Sequence, residues 1–151
     1  MKAVIQRVSR ATCEVDGCLV GEVGRGLLVL VCAMRGDESD GARKLARRIA
    51  EFRCFPDEEG RMNLSLVDEG LSLLVVSQFT LAADGRRGRR PSFVSAAPPE
   101  EAQALLEDFL EEFRGLGLEC ACGRFGAHMK VELLNDGPVT FVLEVPPKAP
   151  G

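Results

Sequence analysis

The segment Asn135-Asp136-Gly137-Pro138-Val139-Thr140 restricts the backbone more than any other part of this sequence. It separates two apolar runs, residues 129–134 and 141–145, which have the composition of strands. Proline holds φ at about −65° and has no N–H to donate, while the glycine before it adopts angles closed to other residues and leaves room for a ligand. The sequence therefore predicts a polar turn that presents backbone atoms to a partner.

A second polar segment, residues 77–81, follows the apolar run 71–76. It contains Ser77, Gln78, Phe79 and Thr80, so hydroxyl and amide groups lie where a buried strand ends. Such a strand end is a suitable position for a binding or catalytic site. The alternative is that these polar side chains only satisfy backbone groups, and in that case Phe79 belongs to the core.

The length and composition indicate one globular domain. A chain of 151 residues, 46% hydrophobic and 28% charged, has the balance of a soluble protein. No segment approaches the roughly 20 apolar residues that cross a bilayer, and residues 1–8 have the pattern of a strand rather than of a signal peptide. We expect a cytoplasmic protein without a membrane partner, with one domain at 1–145 and a Pro-rich C-terminal tail at 146–151.

The spacing of apolar residues indicates the α+β class. Residues 39–53 and 98–115 carry apolar residues at helical spacing, and strand-like segments lie before, between and after them. The sequence predicts a mostly antiparallel or mixed β-sheet packed against two main helices. The predicted strands are residues 2–10, 12–16, 19–23, 27–32, 71–76, 118–122, 129–134 and 139–145.

The sequence contains few residues suited to acid–base or nucleophilic catalysis. The six cysteines are expected to be reduced, and no Cys or His pairs have zinc-site spacing, so we predict no metal and no cofactor. The sequence has one histidine, His128, and it has no Gly-x-Ser-x-Gly motif whose serine this histidine would activate. Thr80 is the most tempting nucleophile, but an internal threonine hydroxyl is weak without a neighbouring base. We therefore favour a positioning role for Thr80 over covalent catalysis.

Four arginines, Arg86, Arg87, Arg89 and Arg90, lie in a loop directly after the second polar segment. The net charge of −4 argues against broad attraction to nucleic acid, because phosphate binding depends on clustered cations. Two interpretations of this loop stay open: a solvated surface loop, or a phosphate contact beside the site.

The two polar segments resemble the signature motifs of the D-aminoacyl-tRNA deacylases. The similarity includes Gly123-Arg124-Phe125-Gly126-Ala127 and the opening Ala3-Val4-Ile5-Gln6-Arg7-Val8, in the same order along the chain. The resemblance covers residues 1 to about 145. It implies an α+β homodimer that hydrolyses the ester between a D-amino acid and the terminal adenosine of tRNA, and that also removes glycine mischarged on tRNA-Ala.

The resemblance implies a catalytic role for the segment that contains Ser77, Gln78, Phe79 and Thr80. Backbone amides near Phe79 and Thr80 would hold the developing oxyanion. The 2′-hydroxyl of the RNA would assist the attacking water, so the protein need not supply a base.

The resemblance also implies how the substrate is bound. Gly137-Pro138 would be a cis peptide that enters the site of the other subunit and excludes L-amino acids. Phe125 would stack on the terminal adenine with Met129 nearby, and Arg7 would hold the Gly-Pro turn across the subunit interface. Core packing is the alternative for Phe125 and Met129, and an ordinary surface cation is the alternative for Arg7.

Two other functions stay compatible with the sequence. One is a noncatalytic RNA-binding homodimeric module, which the arginine loop favours, and the other is a homodimeric interaction protein. The presence of both polar segments favours the hydrolase, because a simple RNA-binding protein requires neither.

Overall fold

The structure, a computed structural model, describes residues 1–149. Its framework is a six-stranded mixed sheet with strand β1 (Lys2–Val15) at its centre. On one edge β1 pairs antiparallel first with β3 (Gly26–Cys32) and then with β2 (Cys18–Val23); on the other it pairs with β8 (Lys130–Glu144). Beyond β3 the sheet continues in parallel through β6 (Ser72–Ser77) and β7 (Cys120–Cys122). Parallel and antiparallel pairs therefore share one sheet, and the α+β prediction is confirmed.

Two helices cover one face of this sheet. Helix α1 (Ser39–Ala50) and helix α3 (Pro99–Gly115) each bury one stripe of apolar residues, as their spacing predicts. Leu45 and Ile49 of α1 and Phe109 and Phe113 of α3 are fully buried in the same cluster as Ile5 of β1. The helices are also joined at their exposed sides, where Arg43 and Arg47 form ion pairs with carboxylates of α3.

The opposite face of the sheet curls around a second, smaller core. Val8, Ala11 and Cys13 of β1 belong to this inner cluster, although Ile5 faces the helices. β1 has one extra residue between Val8 and Arg10 relative to β8, and a shift of one residue moves the following side chains to the other face. A Cβ on Gly21 of β2 would lie 2.9 Å from a methyl carbon of Leu74, so glycine permits the close approach that closes this inner core.

Some elements differ from the sequence prediction. The predicted strands 2–10 and 12–16 form one strand, β1, and residues 130–144 form one strand, β8, without a chain reversal. The predicted polar turn at 135–140 therefore does not separate two strands; these residues form a bulge within β8. The sequence prediction also omitted the short pair β4 (Phe55–Pro56) and β5 (Met62–Leu64), and helix α2 (Leu66–Glu69).

The C-terminal segment leaves the sheet after β8 ends at Glu144. Residues 146–149 have no regular structure and are exposed, and Lys148 lies 3.4 Å from a carboxylate oxygen of Asp40. Pro150 and Gly151, the end of the predicted tail, lie outside the described residues. Within residues 1–149 no helix is both long enough and apolar enough to cross a membrane.

Phe109→Ala should destabilise the fold by about 3–5 kcal/mol, because it removes a fully buried ring at the contact between α3 and the sheet. Urea unfolding followed by circular dichroism measures the change. Val94→Ala is the matched control, since Val94 is 73% exposed and should change stability little. Equal losses for both variants would contradict this assignment of the core.

Candidate active site

The segment 77–81 lies where two parallel strands end together. Ser77 is the last residue of β6 and pairs with Val31 near the end of β3. The Gln78 N–H then donates to the Val31 carbonyl at 2.8 Å, which ties the segment to β3 after the ladder stops. The chain continues into a single 3₁₀ turn, Phe79–Ala82. The predicted position of this segment at a strand end is confirmed.

The side chains of this segment point away from the core. Phe79 is 60% exposed and makes an edge contact with Phe93, with ring centroids 5.0 Å apart. The interpretation of Phe79 as a core residue is therefore wrong. Thr80 is also exposed, and its Oγ1 accepts a hydrogen bond from the Gln78 side-chain amide at 2.5 Å. An amide nitrogen cannot accept a proton, so this contact orients the threonine without activating it.

A small pocket lies beside the 3₁₀ turn. Ser77, Gln78 and Phe79 line it on one side, and Phe125 and Cys32 also contribute. The remaining lining residues are apolar and come from distant parts of the chain: Met1, Val31, Ala33, Ala102 and Leu106. Phe125 is half-buried against the helix-side core, so one side of it packs while it also borders the pocket. The structure thus brings Phe125 together with segment 77–79, which are far apart in sequence.

Cys32 is a buried thiol beside this turn, and its surroundings favour the protonated form. Its Sγ lies 3.6 Å from the Phe79 carbonyl oxygen and 3.4 Å from its neighbour's carbonyl oxygen at Ala33. Burial raises the pKa of the Cys32 thiol above its ordinary value, because the thiolate would lose its solvation. The thiol is therefore a weak donor under the turn and not a reactive thiolate. No sequence motif marks Cys32, because its position under the turn depends on the packing of β3 against segment 77–81.

The polar segment at 135–140 forms a wide bulge on β8. Gln6 pairs with Thr140 and Val8 pairs with Asn135, so a two-residue step on β1 faces a five-residue step on β8. The surplus residues leave the ladder, and Asp136, Gly137 and Pro138 are exposed. The Gly137–Pro138 peptide bond is cis, as the resemblance implied.

Two side chains brace the bulge from inside the same chain. Asn135 Nδ2 donates to the carbonyl oxygens of Arg7 and Val139 at 3.1 and 3.0 Å, and Asn135 Oδ1 accepts from the Val139 N–H at 3.2 Å. Arg7 Nε donates to the Asp136 carbonyl at 3.0 Å, and Arg7 Nη1 donates to the Cys54 carbonyl at 2.7 Å. The Arg7 side chain is only 13% exposed, so it is an internal brace of its own bulge rather than an ordinary surface cation.

The bulge leaves no room for a side chain at Gly137. An added Cβ would lie 2.3 Å from the Val139 nitrogen and 2.6 Å from a Val139 methyl carbon. The first of these atoms belongs to the backbone, so any larger residue must displace the main chain. Glycine is thus required here by the close approach of residues two positions apart.

The two polar segments are not neighbours within one chain. Strands β1 and β3 lie between β8, which carries the bulge, and β6, which carries Ser77. Three strand spacings correspond to about 14 Å, before any offset along the strands. The bulge and the pocket of the same chain are therefore too far apart to bind one small group between them.

Two further candidates lie elsewhere. Met129 packs in the inner cluster near Gly123 and is not among the residues that line the pocket beside Phe125. His128 is exposed, and within residues 1–149 its side chain makes no hydrogen bond. Neither residue therefore supplies a polar group to the pocket.

Comparisons with known proteins give a consistent result. The family model described as D-Tyr-tRNA(Tyr) deacylase matches residues 4–144. The chain is similar to the D-aminoacyl-tRNA deacylase of Cereibacter sphaeroides, with 58% identity over 95% of this chain and 99% of the relative. The Paracoccus denitrificans protein of the same name is also 58% identical, over 95% and 97%. A solved structure, the c-Myc DNA Unwinding Element Binding Protein, has a TM-score of 0.90 and 40% identity over 97% of this chain and 99% of that chain.

Asn135→Ala should destabilise the protein by about 1–3 kcal/mol, because it removes the hydrogen bonds that hold the bulge and leaves a half-buried Arg7 carbonyl without this partner. Chemical denaturation gives the free energy of unfolding. Asn63→Ala is the control, since Asn63 is exposed on β5. A loss at Asn135 no larger than that at Asn63 would show that the side chain does not brace the bulge.

Proposed function

The chain belongs to the D-Tyr-tRNA(Tyr) deacylase family, and we propose from this membership that it hydrolyses D-aminoacyl-tRNA. Water attacks the carbonyl carbon of the ester that joins the D-amino acid to the terminal ribose. The bond to the ribose oxygen breaks, and the products are the free D-amino acid and tRNA. The observation that carries the proposal is a pair of backbone N–H groups, at Phe79 and Thr80, that have no acceptor within residues 1–149 and lie at a 3₁₀ turn beside the pocket.

The donors are the N–H groups of Phe79 and Thr80. Both residues begin the 3₁₀ turn, where an N–H has no acceptor within the turn. In the described part of the chain neither N–H donates a hydrogen bond, although the N–H groups of Leu81 and Ala83 donate to the carbonyls of Gln78 and Thr80. Two such donors side by side suit the oxyanion that forms when water adds to an ester carbonyl. Their role depends on backbone geometry, so it is compatible with many side chains nearby.

The base in this mechanism is supplied by the substrate. The Thr80 hydroxyl accepts a hydrogen bond from the Gln78 side-chain amide, and burial favours the protonated Cys32 thiol. His128 does not line the pocket. The 2′-hydroxyl of the terminal ribose is adjacent to the ester in any aminoacyl-tRNA, and we assign to it the assistance of the attacking water. The protein then contributes orientation and charge stabilisation.

Selection against L-amino acids is assigned to the Gly137–Pro138 bulge of a second subunit. The bulge is exposed, internally braced and too far from the pocket of its own chain. A homodimer that placed it in the partner's pocket would complete a site that one chain leaves open. The edge of β8 not paired with β1 and the 73% exposed Val142 on that strand favour such an assembly.

In the completed site, backbone atoms of Gly137 and Pro138 would receive the α-amino group and occupy the space that an L side chain needs. A D side chain projects in the other direction, so it is accepted. Glycine has no side chain, and we infer that glycyl-tRNA, including glycine mischarged on tRNA-Ala, is also hydrolysed. The cavity beside Phe125 is only about 30 Å³, so we assign to Phe125 stacking on a terminal adenine that lies against the pocket rather than within it.

A noncatalytic RNA-binding homodimer is the alternative. The exposed arginine loop favours it, whereas the N–H groups of Phe79 and Thr80, which have no acceptor among residues 1–149, favour the hydrolase. The two functions differ in one measurable respect, which is turnover of the ester.

Purified protein should hydrolyse D-aminoacyl-tRNA and leave the L-aminoacyl form of the same tRNA intact, as measured by release of the labelled amino acid. Thr80→Ala should retain measurable turnover, because its hydroxyl has no activating base. RNA binding without turnover would favour the noncatalytic alternative. An acyl-enzyme trapped on Thr80 would contradict the substrate-assisted mechanism.

Subunit complementation tests the shared site. Phe125→Ala should weaken substrate binding, and Gly137→Ala should displace the bulge backbone, so each homodimer alone should lose activity. After the two variants are unfolded and refolded together, random pairing gives mixed dimers in which one of two sites has neither change. About one quarter of all sites are then intact, and that share of activity should return. No recovery in a mixture shown to contain mixed dimers would mean that both residues act within one chain.

A further inference from the structure

The arginines of this protein divide into two groups by their contacts. Within residues 1–149 most arginine side chains form an ion pair or donate to a carbonyl or amide oxygen, as Arg7, Arg35 and Arg48 do. The arginine side chains that do neither, in the same range, are Arg87, Arg89, Arg90 and Arg124. Three of them lie in one loop, and Arg124 directly precedes Phe125 at the pocket.

The loop is held in place by its own base. The backbones of Asp84 and Ser92 exchange two hydrogen bonds, of 2.8 and 2.9 Å, which close the loop between them. Asp84 also accepts hydrogen bonds from the Arg86 guanidinium at 2.9 and 2.8 Å. These bonds lower the pKa of the Asp84 carboxyl to about 2, so at neutral pH it is ionised and forms an ion pair with Arg86. The carboxylate nearest in sequence is therefore not available to Arg87, Arg89 or Arg90.

The positive charge of the loop is local. Residues 84–92 contain four arginines against one aspartate, a net charge of +3, in a chain whose net charge is −4. Arg87 and Arg90 line an open concavity together with Arg86, Ser92 and Asp84, whose carboxylate is paired with Arg86. A concave cationic surface of this kind fits an anion with several oxygens, such as a phosphodiester.

The loop is also attached directly to the candidate active site. Ser95 Oγ, just after the loop, donates to the carbonyl oxygen of Ala82 at 2.9 Å, and Phe93 contacts Phe79. A nucleic acid whose 3′ end occupied the pocket would therefore pass its neighbouring phosphates near the loop.

We propose that Arg87, Arg89 and Arg90 form a phosphate-binding tract for the single-stranded 3′ end of the substrate tRNA, beyond the terminal nucleoside. This inference rests on the proposed function, since it assumes that the aminoacylated end binds against the pocket at Phe79 and Phe125. The tract contributes binding along the backbone and takes no part in ester cleavage. It accounts for recognition of RNA by a protein with a negative net charge.

The test compares two substrates that share the ester but differ in phosphates. The variant carries Arg87→Gln, Arg89→Gln and Arg90→Gln. With D-aminoacyl-tRNA, the variant's KM should rise by about tenfold at low salt, and the slope of log binding constant against log salt should decrease by roughly 2. With D-aminoacyl-adenosine, which has no phosphate, its kcat/KM should equal that of the unchanged protein.

Two controls isolate the loss of charge at this loop. The first control removes the same charge from exposed positions elsewhere, with Arg48→Gln, Arg53→Gln and Arg61→Gln. It should leave the kinetics with both substrates unchanged. Replacing the three loop arginines by lysine should retain most of the salt dependence, because lysine keeps the positive charge. Circular dichroism of all variants shows whether the fold is retained.

An unchanged KM and salt slope for tRNA in the folded glutamine variant would overturn the proposal. So would an equal loss on D-aminoacyl-adenosine, because the arginines would then act on the pocket and not on phosphates. If the unchanged protein cleaves neither substrate, the proposed function fails. Filter binding of uncharged tRNA to the two proteins then still decides on the tract, with a weaker, less salt-dependent complex of the variant supporting it and equal binding overturning it.

Discussion

The pairing of β1 along both edges determines where every part of the site lies. Its hydrogen bonds with β3 align the strand that in turn positions Ser77, through the Val31 and Ser77 pair. Its hydrogen bonds with β8 extend along most of the strand. The residues of β8 that exceed this register therefore lie in the bulge at Gly137 and Pro138. Because a ladder permits no slip without moving buried side chains to the wrong face, this register is strongly determined. The pocket and the bulge therefore occupy opposite sides of a single rigid element.

The candidate site depends on geometry more than on ionisable groups. Burial favours the protonated form of the Cys32 thiol, and the Thr80 hydroxyl accepts a hydrogen bond from the side-chain amide of Gln78. The chemical groups that stay available are backbone N–H donors at the start of the 3₁₀ turn, which are held by the hydrogen bond from Gln78 to Val31. Preorganised donors of this kind lower the energy of a developing oxyanion without reorganising during the reaction. The proposed function therefore assigns the assisting hydroxyl to the substrate and not to the protein.

Charge pairing separates structural arginines from those available to a ligand. Arg43 and Arg47 bind carboxylates of α3, and Arg7 binds backbone carbonyls inside the bulge. The guanidinium groups of these three residues are therefore already engaged in contacts within the fold. The arginines of the loop at 84–92, apart from Arg86, form no such contacts within the described residues, and they stand beside the pocket. The contrast between the two groups is visible only when the contacts of each guanidinium are known.

The sequence by itself determined the elements whose signals are local. Helical spacing and the proline and glycine at its ends located α3, strand composition located β3 and β6, and the motif resemblance identified both polar segments and the family. The tertiary structure decided what depends on distant partners. Only strand pairing shows that residues 135–140 form a bulge and not a hairpin, since both conformations use the same glycine and proline. The exposure of Phe79, the place of Cys32 under the turn and the brace from Arg7 to Asp136 follow from packing between segments far apart in the chain, for which no local pattern exists.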